Sequence, residues 1–448
     1  MHSRRKTLSF YNKEDKCFTT SLSLSLSLSL SLSLSLCYFC RDLFTIPMSL
    51  KNLGLFLAIA MVLVAYWLHE PIPDGVKEKS ELRITIAYLK FIRFMTTVSW
   101  MTGIYSPINT FRFWLKMTII QMPNDGAVEV IDDNFSGVPV RIFRPMQNSE
   151  AAPKELPGLV FIHGVGLALM DTDTYHSVSQ SITKETGFVV VSVDFRRAPE
   201  YKFPIPFDDC LTATVHLLRH GAEYGVDINR IAVAGDSTGG NLAAAVVQRL
   251  TVETGFPSLK AQVLIYPTLQ AFDFMTPSMI TRELPGYLTR RTIIENWLLY
   301  YQGNNKDMEN FLTNNHTGPL LKASEYGDSV DHNLLPEEFQ KQLTEKPQKN
   351  FGDEKLSDAF EPTLLNPYFS PLLAQQLDKL PPTFMITAEY DVLRDDGFMY
   401  AKRLEQAGVT VEHKHFENSF HGFICYLGTP SQQEGLVMLR TFLHKVLK

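Results

Sequence analysis

The residues best suited to chemistry in this chain of 448 residues surround a serine. Ser237 lies in Gly235-Asp236-Ser237-Thr238-Gly239, after a hydrophobic run and before an Ala-rich stretch. This context predicts a strand, a sharp turn and a helix, which is how a G-x-S-x-G motif presents a nucleophilic hydroxyl. The flanking glycines fit a turn too tight for larger side chains. We therefore predict that Ser237 is a nucleophile. Asp236 orients the loop or caps the helix, and capping is the preferred role.

A serine nucleophile needs an imidazole to accept its proton and a carboxylate to hold the imidazole in the correct tautomer. Asp391 follows the β-rich run Thr383–Thr387, whose carboxyl end suits a catalytic loop, and is the predicted acid. Three nearby carboxylates remain competitors: Glu389, Asp395 and Asp396. His421 follows the next predicted strand and is the predicted base. His413 and His415 alternate along that strand and are predicted to lie on one of its faces.

An oxyanion hole is predicted in His163-Gly164-Val165-Gly166, with a further N–H donor from Thr238. His163 is predicted to brace this loop by hydrogen bonding. Val165 stands where an H-G-G-G pattern has its middle glycine, and a β-branched residue resists positive φ. Loss of an oxyanion donor costs about 2.7–4 kcal/mol of transition-state stabilisation, so a misaligned Val165 would slow the reaction by roughly two to three orders of magnitude.

From about residue 158, short β-rich runs alternate with helical patterns, which predicts an α/β fold with a mostly parallel central sheet and helices on both faces. The predicted strands span 158–162, 188–193, 230–234, 262–266, 383–387 and 409–415. The predicted helices span about 206–222, 239–253, 394–407 and 432–447. Two stretches that break the alternation, about 75–125 and 270–365, are predicted to form a helical cap, with a helix at about 290–301 in its apolar floor.

The N-terminal 47 residues contain a strict Ser-Leu alternation from Ser21 to Leu36. A CT dinucleotide tract read in triplets encodes this alternation, so we interpret residues 1–47 as a gene-model artefact and Met48 as the start. The apolar run Leu53–Leu68 follows Lys51, which predicts a signal-anchor at 48–70 with its positive end in the cytoplasm. A cleaved signal peptide is the alternative.

A lumenal body at residues 71–448 follows from that orientation. Two sequons, at Asn134 and Asn315, are tentative glycosylation sites on the lumenal side. A net charge of −6 and the lack of a basic run make nucleic acid an unlikely partner. The five cysteines show no zinc-ligand spacing, so no metal is predicted, and pairing of Cys210 with Cys425 is left open.

In combination, the motifs resemble the arylacetamide deacetylase-like proteins in the hormone-sensitive lipase group of the α/β-hydrolases. The resemblance rests on the HGVG loop, DFRRAPE from residue 194, GDSTGG from 235, YFSPL from 368, DVLRD from 391 and HGF from 421. It implies an α/β-hydrolase fold and a single-pass type II anchor in the endoplasmic reticulum membrane. It further implies hydrolysis of apolar acyl esters or arylacetamides, through an acyl-enzyme and without a cofactor. The alternative, motivated by Val165, is a weakly active or inactive homologue that binds a lipophilic ligand.

Overall fold

The computed structural model describes residues 50–117, 126–146, 153–252, 255–343 and 350–448. The predicted extension at 1–47, the predicted start at Met48 and residues 118–125 of the first cap stretch lie outside these ranges.

An eight-stranded sheet forms the centre of the described body, with strand order β1-β2-β4-β3-β5-β6-β7-β8. Its strands are β1 (Val128–Phe135), β2 (Val138–Pro145), β3 (Leu156–Ile162), β4 (Val189–Val193), β5 (Val226–Asp236), β6 (Ala261–Ile265), β7 (Thr383–Tyr390) and β8 (Val411–Phe420). β2 pairs antiparallel with β1 and with β4, and every other pairing is parallel. β4 and β6 are buried along their whole length, as expected for parallel strands covered on both faces.

Helices cover both faces of the sheet, and successive residues of each strand point to opposite faces. Val160 of β3 packs into the core that holds α5 (Ile205–His220), α6 (Thr238–Val252) and α14 (Arg394–Gln406). Phe161 packs into the other core, with α4 (His176–Thr186) and α15 (Pro430–Val446). The predicted fold class is confirmed, and each predicted strand and helix of the body begins and ends within five residues of its observed bounds.

The sequence analysis missed the β1–β2 hairpin and α4. β1 alternates poorly because acidic residues occupy its exposed middle, and a tight turn in which the Gly137 N–H donates to Asn134 Oδ1 joins it to β2. α4 lacks an apolar stripe, since much of its buried side is polar: Ser177, Ser179, Gln180 and Thr183. Pattern reading depends on apolar periodicity, which β1 and α4 do not offer. β2 does alternate, with Val138, Val140 and Ile142 buried, and was missed although this signal was present.

Helices occur throughout the described parts of the two stretches predicted as cap, and residues 344–349 of the second stretch lie outside the described ranges. The first has α2 (Lys79–Thr102) and α3 (Pro107–Lys116), preceded by α1 (Leu50–Leu68); the second has α7 (Pro277–Thr281), α8 (Arg290–Gln302), α9 (Met308–Leu312), α10 (Pro319–Lys322), α11 (Glu325–Asp328), α12 (Glu337–Gln340) and α13 (Glu354–Leu364). α8 starts at a Thr289 cap, ends at Gly303 and buries an apolar face that includes Trp297. Among the described helices, none is long and apolar enough to cross a membrane.

Candidate active site

The turn at Ser237 is built by close backbone packing. β5 ends at Asp236 and α6 begins at Thr238, so Ser237 alone occupies the turn, with φ of 54°. A Cβ at Gly235 would overlap the backbone of Gly239, and one at Gly239 would overlap the carbonyl oxygen of Ile162 on β3. A positive φ costs a non-glycine residue about 1–2 kcal/mol, and such strain at a nucleophile turn holds the hydroxyl above the sheet.

The structure brings the predicted nucleophile, base and acid into one hydrogen-bonded chain. His421 Nε2 lies 2.9 Å from Ser237 Oγ, and His421 Nδ1 lies 2.8 Å from Asp391 Oδ2. The other oxygen of Asp391 accepts the Leu393 N–H at 2.8 Å. All three catalytic candidates are buried, and the acid and the base follow the ends of β7 and β8. This arrangement can deprotonate a serine hydroxyl and stabilise the resulting imidazolium.

Two tyrosines that the sequence analysis missed hold the His421 loop. The Tyr287 hydroxyl, from the cap, donates to the His421 carbonyl oxygen at 2.8 Å. The ring of Tyr266 lies 4.7 Å from the imidazole, centroid to centroid. Tyr266 comes directly after β6, at the edge of the sheet where the site lies, and that position was a usable signal. No sequence pattern links Tyr287 to the base, because 134 residues separate the two.

The competing carboxylates serve other partners. Glu389 pairs with Arg394, Arg282 and His415. Burial raises the pKa of Glu389, but the His415 hydrogen bond and the two arginines outweigh it and bring the pKa down to about 2. Asp395 is a buried partner of Arg394 and accepts the Ser278 N–H.

Asp396, the third competitor, accepts the Leu269 N–H and the Gln270 side chain, and burial raises its pKa to about 7. The strand histidines His413 and His415 both contact the Thr387 hydroxyl. Of the carboxylates considered, Asp391 is therefore the one that contacts the imidazole of the base.

The predicted oxyanion loop lies beside the nucleophile, and one of its predicted donors is occupied. The Gly164 N–H donates to Asp236 Oδ1 at 2.9 Å. A Cβ on Gly164 would lie 2.6 Å from the Asp236 carbonyl oxygen, so this position needs glycine. The prediction for Gly164 is corrected: it braces the loop, and the N–H groups of Val165, Gly166 and Thr238 remain for an oxyanion.

Val165 has the backbone conformation that its β-branched side chain disfavours. Its φ is 69°, and the following Gly166 and Leu167 have φ of 73° and 60°. Three successive residues in this region coil the loop in the manner of a glycine-rich segment. The Val165 side chain packs against the apolar core beneath α15, which offsets part of the strain. Val165 therefore has a φ in the range that glycine adopts readily.

Asp236 orients the oxyanion loop and does not cap the helix, so the preferred capping role is wrong. Its Oδ2 accepts the Tyr175 hydroxyl at 2.9 Å while Oδ1 accepts Gly164. Burial raises the pKa of Asp236 to about 6, although the hydrogen bond from Tyr175 and the charge of His421 act in the opposite direction. His163 lies 3.3 Å from the Gly164 oxygen, as a brace would, and burial lowers its pKa to about 4.

Asp236→Ala should lower kcat/KM by about 10²-fold, because the Gly164 N–H loses its acceptor and the oxyanion loop loses its alignment. Asp236→Asn keeps an acceptor oxygen and should stay within about tenfold of wild type. Steady-state hydrolysis of a soluble aryl ester measures both. Equal activity of the Ala variant and wild type would contradict the bracing role.

The same Asn variant tests the electrostatics of Asp236. Its pKa in the fold is about 6, above its ordinary 3.8. The stabilising contribution of the protonated carboxyl is therefore complete below pH 3.8 and is lost as the pH rises through 6. Asp236→Asn does not ionise, so its free energy of unfolding should fall less than that of wild type over this range, as measured by urea denaturation.

The cysteines and the two sequons take no part in the hydrogen-bonded chain of the catalytic candidates, although Cys425 Sγ lies 3.7 Å from the Tyr175 hydroxyl beside it. Cys210 and Cys425 are both free thiols. Asn134 is exposed at the β1–β2 turn, whereas Asn315 is half-buried and hydrogen-bonds to Asn310. Glycosylation at either asparagine stays a prediction.

Comparison with known proteins agrees with this geometry. A family model described as the alpha/beta hydrolase fold matches residues 159–325 and 319–425. Neutral cholesterol ester hydrolase 1 of Rattus norvegicus is 36% identical over 390 residues, which are 84% of this chain and 93% of that protein. Arylacetamide deacetylase of Bos taurus is 35% identical over 375 residues, which are 82% and 92% of the two chains.

This chain belongs to the arylacetamide deacetylase-like family of α/β-hydrolases. The resemblance predicted from the motifs is thereby confirmed. Among solved structures, a bacterial heroin esterase superposes with a TM-score of 0.58 at 28% identity, covering 76% of this chain and 91% of that chain. A thermostable carboxylesterase cloned from a metagenomic library gives 0.55 at 25% identity, covering 80% and 98%. This α/β-hydrolase is a carboxylic ester hydrolase, which confirms the predicted enzyme class.

Proposed function

We propose that the protein is a membrane-associated serine esterase or amide hydrolase that acts on apolar acyl esters or arylacetamides through an acyl-enzyme at Ser237. The hydrogen-bonded chain from Ser237 through His421 to Asp391, with links of 2.9 Å and 2.8 Å, carries this proposal. The cofactor-free chemistry follows from these three side chains, because each reaction step moves a proton or an acyl group between them, the substrate and water.

In the first half-reaction, Ser237 Oγ attacks the carbonyl carbon while His421 Nε2 takes the hydroxyl proton. Asp391 holds the Nδ1 proton and stabilises the imidazolium. The tetrahedral oxyanion accepts hydrogen bonds from the N–H groups of Val165, Gly166 and Thr238, and the N-terminus of α6 adds a favourable dipole.

The first half-reaction ends when the tetrahedral intermediate collapses: the imidazolium protonates the alcohol or amine, which departs and leaves the acyl-enzyme. In the second half-reaction, the acyl group leaves the enzyme. Water then attacks the acyl carbonyl with His421 again acting as base, and the acid product leaves as Ser237 recovers its proton.

An apolar substrate is favoured by the side chains of the cap beside the oxyanion loop. Leu299 of α8 packs with Ala168 and Ala198, and Ile108 of α3 joins this cluster. The relatives are named for a cholesterol ester and for arylacetamides, both of which are apolar acyl compounds. The location that we propose is the endoplasmic reticulum membrane, with an anchor at 48–70 and a lumenal catalytic body. The apolar composition of α1 supports this location.

The rival function is that of a hydrolase-fold protein that binds a lipophilic ligand without turnover. It is motivated by the strain at Val165. A strained residue at this position would disable the enzyme if it displaced an oxyanion donor. The φ of 69° lies in the left-handed region that glycine adopts readily, which supports a loop shaped for an oxyanion despite the valine. The active enzyme is therefore the better proposal.

Wild type should hydrolyse members of a panel of aryl acetates, arylacetamides and longer-chain esters. Val165→Gly should change kcat/KM on these substrates by less than about tenfold. Val165→Thr is the matched control, because it keeps the β-branch and the strain. An inactive wild type that gains two or more orders of magnitude in the Gly variant, with unchanged affinity for a non-hydrolysable ester analogue, would favour the binding protein instead.

A further inference from the structure

Helix α2 is apolar on two opposite faces. One face packs on the body through Leu82, Ile86 and Ile92, which are buried. The opposite face exposes a second apolar stripe with steps of seven, three, four and three residues: Ile84, Phe91, Phe94, Val98 and Met101. Ile84, Phe94 and Met101 are more than half exposed, whereas Phe91 also packs edge-on against Trp114 of α3. Exposed apolar side chains clustered in this way mark a contact surface for a protein or for lipid.

The apolar surface continues around the turn into α3. Gly103, with φ of 68°, ends α2, and α3 returns antiparallel beside it. Apolar and aromatic side chains are exposed around this turn: Trp100, Ile104, Tyr105, Phe113 and Met117. We call these residues, with the stripe of α2, the hairpin face.

Three cations of the two helices bond to the body of the protein, whereas Arg83 of α2 is exposed. Lys90 bonds to Glu70 at 2.8 Å. Arg93 donates to the Gly286 carbonyl oxygen at 2.7 Å, and Arg112 pairs with Glu200. Since these cations are engaged at the base of the hairpin, they do not solvate the hairpin face.

We propose that the hairpin face docks into the interfacial region of a phospholipid bilayer. This inference rests on the membrane association proposed above and deepens it, because it assigns a second contact besides the N-terminal segment. It requires no spanning helix, since an amphipathic surface lies in the plane of the interface with its apolar side chains about 5–10 Å deep.

Continuity with α1 favours a bilayer over a protein partner. The described side chains of α1 from Leu55 to Trp67 are almost all exposed and apolar on every side. Lys90 of α2 donates to the Trp67 carbonyl oxygen at 2.8 Å, which ties the end of α1 to the hairpin. The tyrosines and tryptophans near the helix ends suit the boundary between headgroups and acyl chains. A tip exposed on several sides also fits a fluid lipid layer better than a flat protein surface.

Docking in this way would place the bilayer next to the site. Arg112 of α3 donates to the carbonyl oxygen of Ala168, two residues after Gly166 of the oxyanion loop, at 2.7 Å. An apolar ester dissolved in the bilayer would therefore meet the cap side of the active site without crossing water.

The test uses the intrinsic tryptophans of the full chain in vesicles. Trp67→Phe removes the reporter on α1, so that Trp100 and Trp114 report on the hairpin, while Trp297 is buried. In phosphatidylcholine vesicles brominated near the glycerol end of the acyl chains, tryptophan emission should fall about 1.5-fold or more relative to unbrominated vesicles. A further Trp100→Phe substitution should remove most of this quenching.

The double variant Phe94→Asp with Val98→Asp should abolish the quenching. The matched control is Val252→Asp with Leu320→Asp, because these two apolar side chains lie outside the hairpin face and are 58% and 77% exposed. The control should leave the quenching intact. All variants should hydrolyse a short water-soluble ester within about twofold of one another, because charges on the hairpin face do not touch the catalytic chain. If wild type does not hydrolyse the soluble ester but its tryptophan emission is quenched, the result contradicts the proposed function and not the docking.

Equal emission in the two kinds of vesicle overturns the proposal. Light scattering in detergent then identifies the cover. A doubled mass that Phe94→Asp restores to a monomer indicates a second copy of the chain on the hairpin face.

Discussion

Ser237→Ala is expected to lower kcat by about 10⁶-fold for ester and amide substrates and to abolish labelling by a fluorophosphonate probe. The backbone of Ser237 has a positive φ, which holds its hydroxyl above the sheet, 2.9 Å from Nε2 of His421. Its removal leaves no oxygen to form the acyl-enzyme, and general-base attack by water is far slower. Single-turnover hydrolysis and intact-protein mass spectrometry after probe treatment measure the two effects.

Ser419→Ala is the matched control for this experiment. Ser419 is buried, lies two residues before His421 and bonds to the Ser431 hydroxyl at 3.0 Å. Its loss should lower stability by about 1 kcal/mol and leave probe labelling intact. Equal labelling of wild type and Ser237→Ala, or no labelling of a folded wild type, would show that the nucleophile is not Ser237.

Asp391→Asn is expected to lower kcat by about 10⁴-fold with little change in KM. The Asp391 carboxylate lies 2.8 Å from His421 Nδ1, and its charge stabilises the imidazolium that forms as Ser237 attacks. An amide has no such charge, and it can donate to Nδ1 and so hold the imidazole in the wrong tautomer. The pH profile of kcat separates this electrostatic loss from a folding defect.

Asp396→Asn controls for the burial of a carboxyl near the site. Burial raises the pKa of Asp396 to about 7, so an amide reproduces much of its protonated form at neutral pH. Its activity should stay within about threefold of wild type. If Asp391→Asn keeps full activity while Glu389→Gln loses it, the acid is Glu389 and the assignment from geometry fails.

Local pattern was sufficient for the elements that the site depends on. The strand, the G-x-S-x-G turn and the Ala-rich helix are contiguous, so the elbow at Ser237 could be predicted from neighbouring residues. The parallel strands β3 to β7 carry dense apolar runs and could be predicted for the same reason. The polar α4 and the acidic β1 were missed because tertiary contacts, and not their own periodicity, keep them in the sheet and its covering layer.

The roles of individual polar groups needed the fold. Glu389 and Asp391 are two residues apart at the end of β7, so residue type and spacing do not distinguish them. In the fold, Arg282 and Arg394 bind Glu389, and Asp391 remains as the partner of His421. The hydrogen bond from the Gly164 N–H to the Asp236 carboxylate joins residues 72 positions apart. Tyr287 reaches His421 from the cap, across 134 positions.

The sequence by itself determined the order of nucleophile, acid and base and the strand-turn-helix that presents Ser237, because these depend on residue type and on short-range periodicity. Tertiary structure alone decided that Val165 keeps a glycine-like backbone, since its φ is imposed by the packing of the loop against β5 and α15. It also decided that the second apolar face of α2 points outward, because the body can cover one side of a helix and leaves the other to solvent or to lipid.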